Sequence, residues 1–316
     1  MTGRSLYIAR LIASSFYRRL RFALGRIEST TGSNTTGQEI EAAAAYIRRT
    51  FDDYACYGGL TDADIAGASL LEVGPGDSLG TGLLFLSRGA ARYTAIDKFY
   101  SQHDNARAEA IYKVLRRDLP PQQQAAFDAA RVETVYGHGA QEAGKVFAPA
   151  SFDGILSRAV LHEIYEAEEA ILALDRVLKP GGWMVHKIDL RDDGLFSGRG
   201  FHPLEFLTIS APVYWLMAYD TDKTCRRPLS SYREIMQRLG YEAKFLVTGI
   251  IEKQGYQSTE NPTGAGKERL EAGVDYGEEY TRLVAAIRPR LQPPFRAMPD
   301  SDLLTASVFL VARKPK

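Results

Sequence analysis

The sequence predicts an α/β fold, a mostly parallel sheet with helices on both faces. Three observations predict it. From residue 69 onward, short apolar runs of strand length alternate with amphipathic segments of helix length. A glycine-rich turn, in "SLLEVGPGDSLGTG", joins the first run to the first helical segment. The chain closes on "TASVFLVARK", a run with strand character throughout.

The elements follow in chain order. Residues 5–25 set Ile8, Leu11, Ile12, Phe16, Leu20 and Ala23 near one helical face. "ESTTGSNTTG", residues 28–37, is polar and reads as a linker. A second helix fits 38–51. Strands are expected near 69–73, 92–96, 131–136, 152–157 and 182–189, with helices near 80–88, 104–129, 140–147 and 166–178 between them. A helix at 229–240 leads to a strand at 242–248, and the terminal run makes seven strands. Two stretches break the rhythm. Residues 190–228 are aromatic and rich in Gly and Pro; residues 249–303 are polar with one helix at 276–290. Both read as insertions that cap the sheet.

The bulk properties narrow the function classes. The 316 residues are 45% hydrophobic and 25% charged, enough for a sizeable core. A net charge of zero argues against a nucleic-acid partner. The charge is uneven, because residues 1–26 hold six arginines and no acid, leaving −6 on the remainder. Cys56 and Cys225 form neither a disulfide framework nor a zinc site, so a reducing compartment is expected. No run approaches the ~18 apolar residues of a membrane span, and arginines break the N-terminal stretch where a signal peptide needs an apolar core. The expected location is cytoplasmic.

The glycine turn is the first candidate for ligand binding. In an open parallel sheet, ligands sit beyond the carboxyl ends of the strands, where this turn belongs. A dinucleotide loop needs G-x-G-x-x-G. Gly74 and Gly76 fit, but Leu79 stands at the third position and Gly80 comes one residue late. That counts against a pyrophosphate. Glu72, two residues before Gly74, repels a phosphate and suits a ligand with positive charge.

The pattern E-x-G-x-G resembles the first motif of class I S-adenosylmethionine-dependent methyltransferases, whose cofactor carries a sulfonium and an ammonium and no phosphate. "RYTAIDKF", "SFDGILSRAVLHEI" and "ALDRVLKPGGWMVHKIDL" resemble later motifs of that family in the correct order. Two departures stand out: Ser78 replaces a glycine found in some relatives, and His162-Glu163 stands where many read Glu-His. The resemblance implies a Rossmann-like, seven-stranded, mostly parallel sheet and S-adenosyl-L-methionine as cofactor. It implies that Gly74, Pro75 and Gly76 pass close to the methionine part, with Glu72 orienting that part or the loop. Asp97 would accept from both ribose hydroxyls. Lys98 and Phe99 would border the adenine, and Gly139, Ala140 or Gln141 would meet its edge. Ser157 and Arg158 would sit at the tip of the fourth strand.

Methyl transfer needs an aligned acceptor and, for an oxygen or nitrogen acceptor, a base. His162, just past the fourth strand, is the candidate base; the alternative is a histidine that hydrogen-bonds a neighbour at a helix start. Asp189, at the tip of the fifth strand, is a candidate to orient an acceptor hydroxyl; the alternative is a turn-forming acid. His186 reads as a core histidine, and His103 as incidental. No metal-ligand spacing is present. The aromatic insertion, with Phe196, Phe201, Phe206, Tyr214 and Trp215, suits an apolar acceptor, a lipid or a natural-product intermediate.

The basic N-terminal helix has three readings: a lid or packing helix, an anchor making peripheral contact with a membrane surface, or an organelle transit segment. The expected division is a helical extension or lid over 1–60 and a methyltransferase domain over 61–316 with its two insertions. The leading expectation is methyl transfer to the oxygen of a small molecule. The alternatives are a nicotinamide-dependent oxidoreductase and a non-catalytic module on the same fold.

Overall fold

The computed structural model describes residues 3–29, 32, 34–101, 105–219, 221, 223–252, 255–258 and 277–316. His103 and residues 259–276 of the second insertion lie outside the described residues. Eight strands form one sheet: β1 Ser69–Val73, β2 Arg92–Asp97, β3 Glu133–Tyr136, β4 Phe152–Arg158, β5 Leu178–Asp189, β6 Glu242–Glu252, β7 Gly255–Ser258 and β8 Thr305–Arg313. Their spatial order is β3-β2-β1-β4-β5-β8-β6-β7. The first five strands pair in parallel. The terminal strand β8 enters antiparallel between β5 and β6. All seven expected strands are present, and β7 is an added edge strand hairpinned onto the long β6. Strand order reverses between β1 and β4, which opens a crevice at their carboxyl ends.

Successive strand residues serve opposite faces. Leu71, Val73, Ile155, Met184, Val308 and Leu310 enter one core; Leu70, Leu156, Val185 and Phe309 enter the other. Both faces of the sheet are therefore buried, and the strands read as nearly continuous apolar runs. The helices are α1 Gly3–Ala23, α2 Ile40–Gly58, α3 Gly80–Ser87, α4 Asn105–Arg117, α5 Pro121–Ala129, α6 Ala167–Val177, α7 Ala211–Ala218, α8 Leu229–Arg238 and α9 Glu278–Ile287, with several shorter turns. α6 and α8 cover the first face. α2, α3 and α4 cover the second, through Ile47, Phe51, Tyr54, Phe85 and Leu115.

Three local expectations change. The single helix expected over 104–129 is two, α4 and α5, because Pro120 and Pro121 break the ladder and Pro121 restarts it at the first helical position, where no N–H is missed. The expected linker is docked: Glu28–Ser29 pairs in parallel with Tyr100–Ser101. On α1, the one face read from the sequence divides in two. Leu11 and Ser15 are buried against the molecule, whereas Phe16 and Leu20 face solvent. The Ser15 hydroxyl donates to the Met217 carbonyl, Tyr7 donates to Leu195 O at 2.7 Å, and Arg4 pairs with Glu205 at 2.8 Å. α1 is thus a packing helix on the first insertion.

Candidate functional site

The turn after β1 is built from two left-handed glycines, Gly74 (φ 68°) and Gly76 (φ 70°). A Cβ on Gly74 would lie 2.4 Å from Val160 Cγ2, and one on Gly76 would lie 2.5 Å from the Gly32 carbonyl oxygen. Gly74 lets the loop after β4 close in. Gly76 lets the segment before α2 cross over the turn. That segment is held by Asp77, whose carboxylate accepts the Asn34 amide at 3.1 Å, the Thr35 amide at 3.0 Å, and the Thr36 amide and hydroxyl at 2.8 Å each. Asp77 N–H in turn donates to Gly32 O at 3.1 Å.

The late Gly80 also has a physical reason. A Cβ there would lie 2.9 Å from Ile47 and 3.0 Å from Leu115, so it permits close packing of α3 under α2 and α4. The first amides of α3 are already engaged: Leu79 N–H donates to the Tyr112 hydroxyl at 3.1 Å and Gly80 N–H to Ser78 Oγ at 3.2 Å. A pyrophosphate needs those groups free and facing the crevice.

The crevice itself is an open cleft. Gly74, Asp97, Lys98, Gly139 and Ala140, all expected at the cofactor, line it together. Phe99 and Gln141 join them, and Val160, Glu163, Ile164, Tyr165, Glu166 and Thr221 form the remaining wall. Three carboxylates, Asp97, Glu163 and Glu166, face one cation, Lys98. Burial pushes the Asp97 carboxyl up to about 6, against the Phe99 amide, which donates to it at 2.9 Å. Burial lowers the Lys98 ammonium, whose Nζ lies 4.5 Å from the centre of the Phe22 ring.

Glu72, Pro75, Gly76 and Ser157 stand off the cleft wall, as does Arg158, which bonds Asp53 at 2.8 Å. Glu72 is buried behind the wall, and burial raises its carboxyl to about 7 despite the Tyr93 hydroxyl beside it; the nearby Asp97 charge raises it further. Its Oε2 has no hydrogen-bond partner among the described residues. Pro75 does not line the cleft, and Gly76 lies beneath Gly32 and Asn34. The Ser157 hydroxyl is spent on His186 Nδ1 at 2.7 Å. Burial lowers His186 to about 3, so that core histidine is neutral.

The two residues expected at the chemistry also lie behind the wall. His162 Nε2 bonds Asp193 Oδ2 at 3.1 Å. Burial opposes its charge, yet the Asp193 carboxylate, with Glu163 and Asp189 near, raises the imidazole to about 9. The neutral ring that a base requires is therefore not the form present at pH 7. Asp189 is clamped by Arg191 through Nε at 2.9 and 3.0 Å. Burial would raise the Asp189 carboxyl, but that clamp holds it below its ordinary value. Of the His162-Glu163 pair, Glu163 is the residue that lines the cleft.

Sequence reasoning missed Asp77, Glu163, Glu166 and Tyr165. The last three lie within four residues after His162, and two acids flanking an aromatic on the loop after the fourth strand were a readable signal. The partner of Asp77 lies about forty residues upstream and carries no local mark. The fold also brings ligand atoms of His162, Glu163 and Asp193 within 4.8 Å of one another, a grouping invisible in chain spacing; Arg18 and Lys223 border the cavity that Glu163 and Asp193 share.

The cleft suits a ligand with a diol, a flat ring and net positive charge. Asp97 offers two acceptors, Phe99 a ring edge, and the surplus of acids, with the orphaned Glu72 oxygen behind them, favours a cation. Residues 41–244 match the model of a family described as a methyltransferase domain. No curated protein sequence matches the chain. Among solved structures it is similar to the cyclase SpnF, at 18% identity over 87% of this chain and 82% of that one, with a TM-score of 0.44. It is similar to a putative S-adenosylmethionine-dependent methyltransferase from Listeria monocytogenes, at 14% identity over 86% and 100%, TM-score 0.41. A third is a Haemonchus contortus N-methyltransferase in complex with phosphomonomethylethanolamine and S-adenosylhomocysteine, at 18% identity over 91% and 60%, TM-score 0.41.

Proposed function

The chain belongs to the methyltransferase domain family and uses S-adenosyl-L-methionine, and from that premise we propose that it methylates an oxygen of a small apolar acceptor. The observation that carries this reading is the cleft at the β1/β4 switch point, with three acids against one cation and Val160, Ile164 and Tyr165 as apolar lining beside them. A dinucleotide is disfavoured by the engaged amides at the start of α3.

In this reading Asp97 accepts from the ribose hydroxyls, Lys98 and Phe99 flank the adenine, and the Gly139 and Ala140 backbone meets its edge. Gly74 gives close backbone approach. Glu72, Pro75, Gly76 and Ser157 shape the loop and the strand tips from behind. The cofactor, when bound, supplies an electrophilic methyl group and leaves as the demethylated thioether. Alignment of the acceptor falls to Val160, Ile164 and Tyr165, and this alignment supplies much of the rate. As the new carbon–oxygen bond forms, the acceptor hydroxyl proton passes to the Glu163 carboxylate. His162, held charged by Asp193, positions the Glu163 backbone; Asp189, clamped by Arg191, fixes the neighbouring strand tip.

Calorimetry tests the cofactor half. S-adenosylmethionine and S-adenosylhomocysteine should bind at least about tenfold more tightly than NADP, a difference near 1.4 kcal/mol. Equal or tighter NADP binding overturns the reading. A labelled-methyl screen of lipid and metabolite extracts then finds an acceptor. With it, Glu163→Gln should lower turnover about a hundredfold, the lower range for loss of a general base, and His162→Ala by less. The reverse order returns the base to His162.

A further inference from the structure

Seven of the eight exposed large hydrophobic side chains among the described residues lie on two neighbouring helices. Leu6 (65% exposed), Phe16 (65%), Tyr17 (61%) and Leu20 (48%) belong to α1, and Leu24 (68%) follows its end. Trp215 and Leu216 belong to α7. At 3.6 residues per turn, the α1 residues and Leu24 span only about 100° of arc. Leu11 and Ser15, the buried pair, lie on the opposite side. Single exposed apolar residues are ordinary, whereas a contiguous patch marks an interaction surface.

Charge says what the patch meets. Arg10 is exposed beside it and Arg26 just after its end, and no acid precedes Glu28. The Arg19 guanidinium lies 5.3 Å over the Trp215 ring and its NH2 group donates to Leu216 O at 3.3 Å, which ties the two helices into one surface. An apolar helical stripe on a helix that carries arginines and no acid fits the plane of an anionic bilayer, with the acyl boundary under the stripe and the headgroups against the guanidinium groups. Trp215 and Tyr17 have the apolar body and polar edge that suit headgroup depth.

The same surface adjoins the cleft. Trp215 stacks on Tyr219 at 4.8 Å, and Tyr219 meets the edge of Tyr165, a cleft residue, at 5.7 Å. At the other end of α1, Phe22 meets Phe99 edge-on at 5.9 Å. We infer that the outward face of α1, continued by Trp215 and Leu216, docks on an anionic lipid surface and presents the cleft to an amphiphile resident there. The acceptor class rests on the methyl-transfer reading above; the docking does not.

The test uses the full chain and sucrose-loaded vesicles of phosphatidylcholine, with or without about one third phosphatidylserine. The protein should pellet with the anionic vesicles, less with the neutral ones, and less again at high salt, where charge is screened. Phe16→Ser combined with Leu20→Ser should weaken anionic-vesicle binding by at least tenfold, with the far-ultraviolet dichroism and S-adenosylmethionine binding unchanged. Three results overturn the inference: no binding of the intact chain, equal binding of the double variant, or a dimer in sedimentation that the double variant dissolves, which would make a second copy the occupant. Calorimetry of the cofactor is read on the same samples, so failure of docking and failure of the methyltransferase reading are told apart.

Discussion

Burial raises the Asp97 carboxyl to about 6, even though the Phe99 and Lys98 amides favour its ionised form. Only the carboxylate can accept from two hydroxyls at once. The folded value lies above the ordinary one, so acidification through about 6 converts the site to a form that accepts less. Affinity for S-adenosylmethionine should therefore be full near pH 8 and fall as pH drops through 7 to 6, with Glu72, ionising at about 7, adding to the slope in the same sense. Asp97→Ala should weaken binding by roughly 1.5–3 kcal/mol and flatten the lower part of the profile. Calorimetric titration from pH 5.5 to 8 checks both. An unchanged dissociation constant in the folded variant removes Asp97 from the ribose.

Between elements, Asp77 is the contact that turns a polar segment into a fixed strap across the glycine turn. Its carboxylate receives three backbone amides and one hydroxyl from residues 34–36. Alanine at 77 leaves those donors without their acceptor, at a cost of about 1–3 kcal/mol. For a chain of this size that is roughly 1.5–5 °C in Tm. Scanning calorimetry should show the loss, and limited proteolysis should cut faster between Glu28 and Gln38. A variant with the parent Tm and digestion pattern would mean that the Gly32 contact with the turn suffices to hold the strap.

For the whole molecule, we read the N-terminal region as an extension that packs Leu11 onto the margin of the first core and completes the cleft. The informative cut falls before α2, because Ile47, Phe51 and Tyr54 of α2 are buried in the second core. Removal of residues 1–29 should leave the sheet folded, with cooperative melting and near-parent dichroism. It also removes Phe22 from Phe99 and from the Lys98 ammonium, so S-adenosylmethionine should bind more weakly. A truncated chain that melts without cooperativity shows α1 to be part of the core; one that binds the cofactor as the parent does shows that α1 plays no part in the cleft.

The α/β class, the seven strands and the cofactor loop were legible because they rest on local spacing. Periods of two and 3.6, and glycines at fixed offsets after β1, are properties of near neighbours in the chain. Asp97 at the end of β2 follows from the same register. The double proline that splits α4 from α5 is equally local. The insertion of β8 between β5 and β6, the strap on Asp77, the partition of α1 into a buried and an outward apolar face, and the choice of Glu163 over His162 at the cleft wall came only with the tertiary structure. Each depends on residues 30 or more apart in sequence, and which of them meet is decided by how the helices pack on the sheet. The charge on His162 has the same origin: burial opposes it, and Asp193, which reaches the ring across 31 positions, holds the proton there together with Glu163 and Asp189.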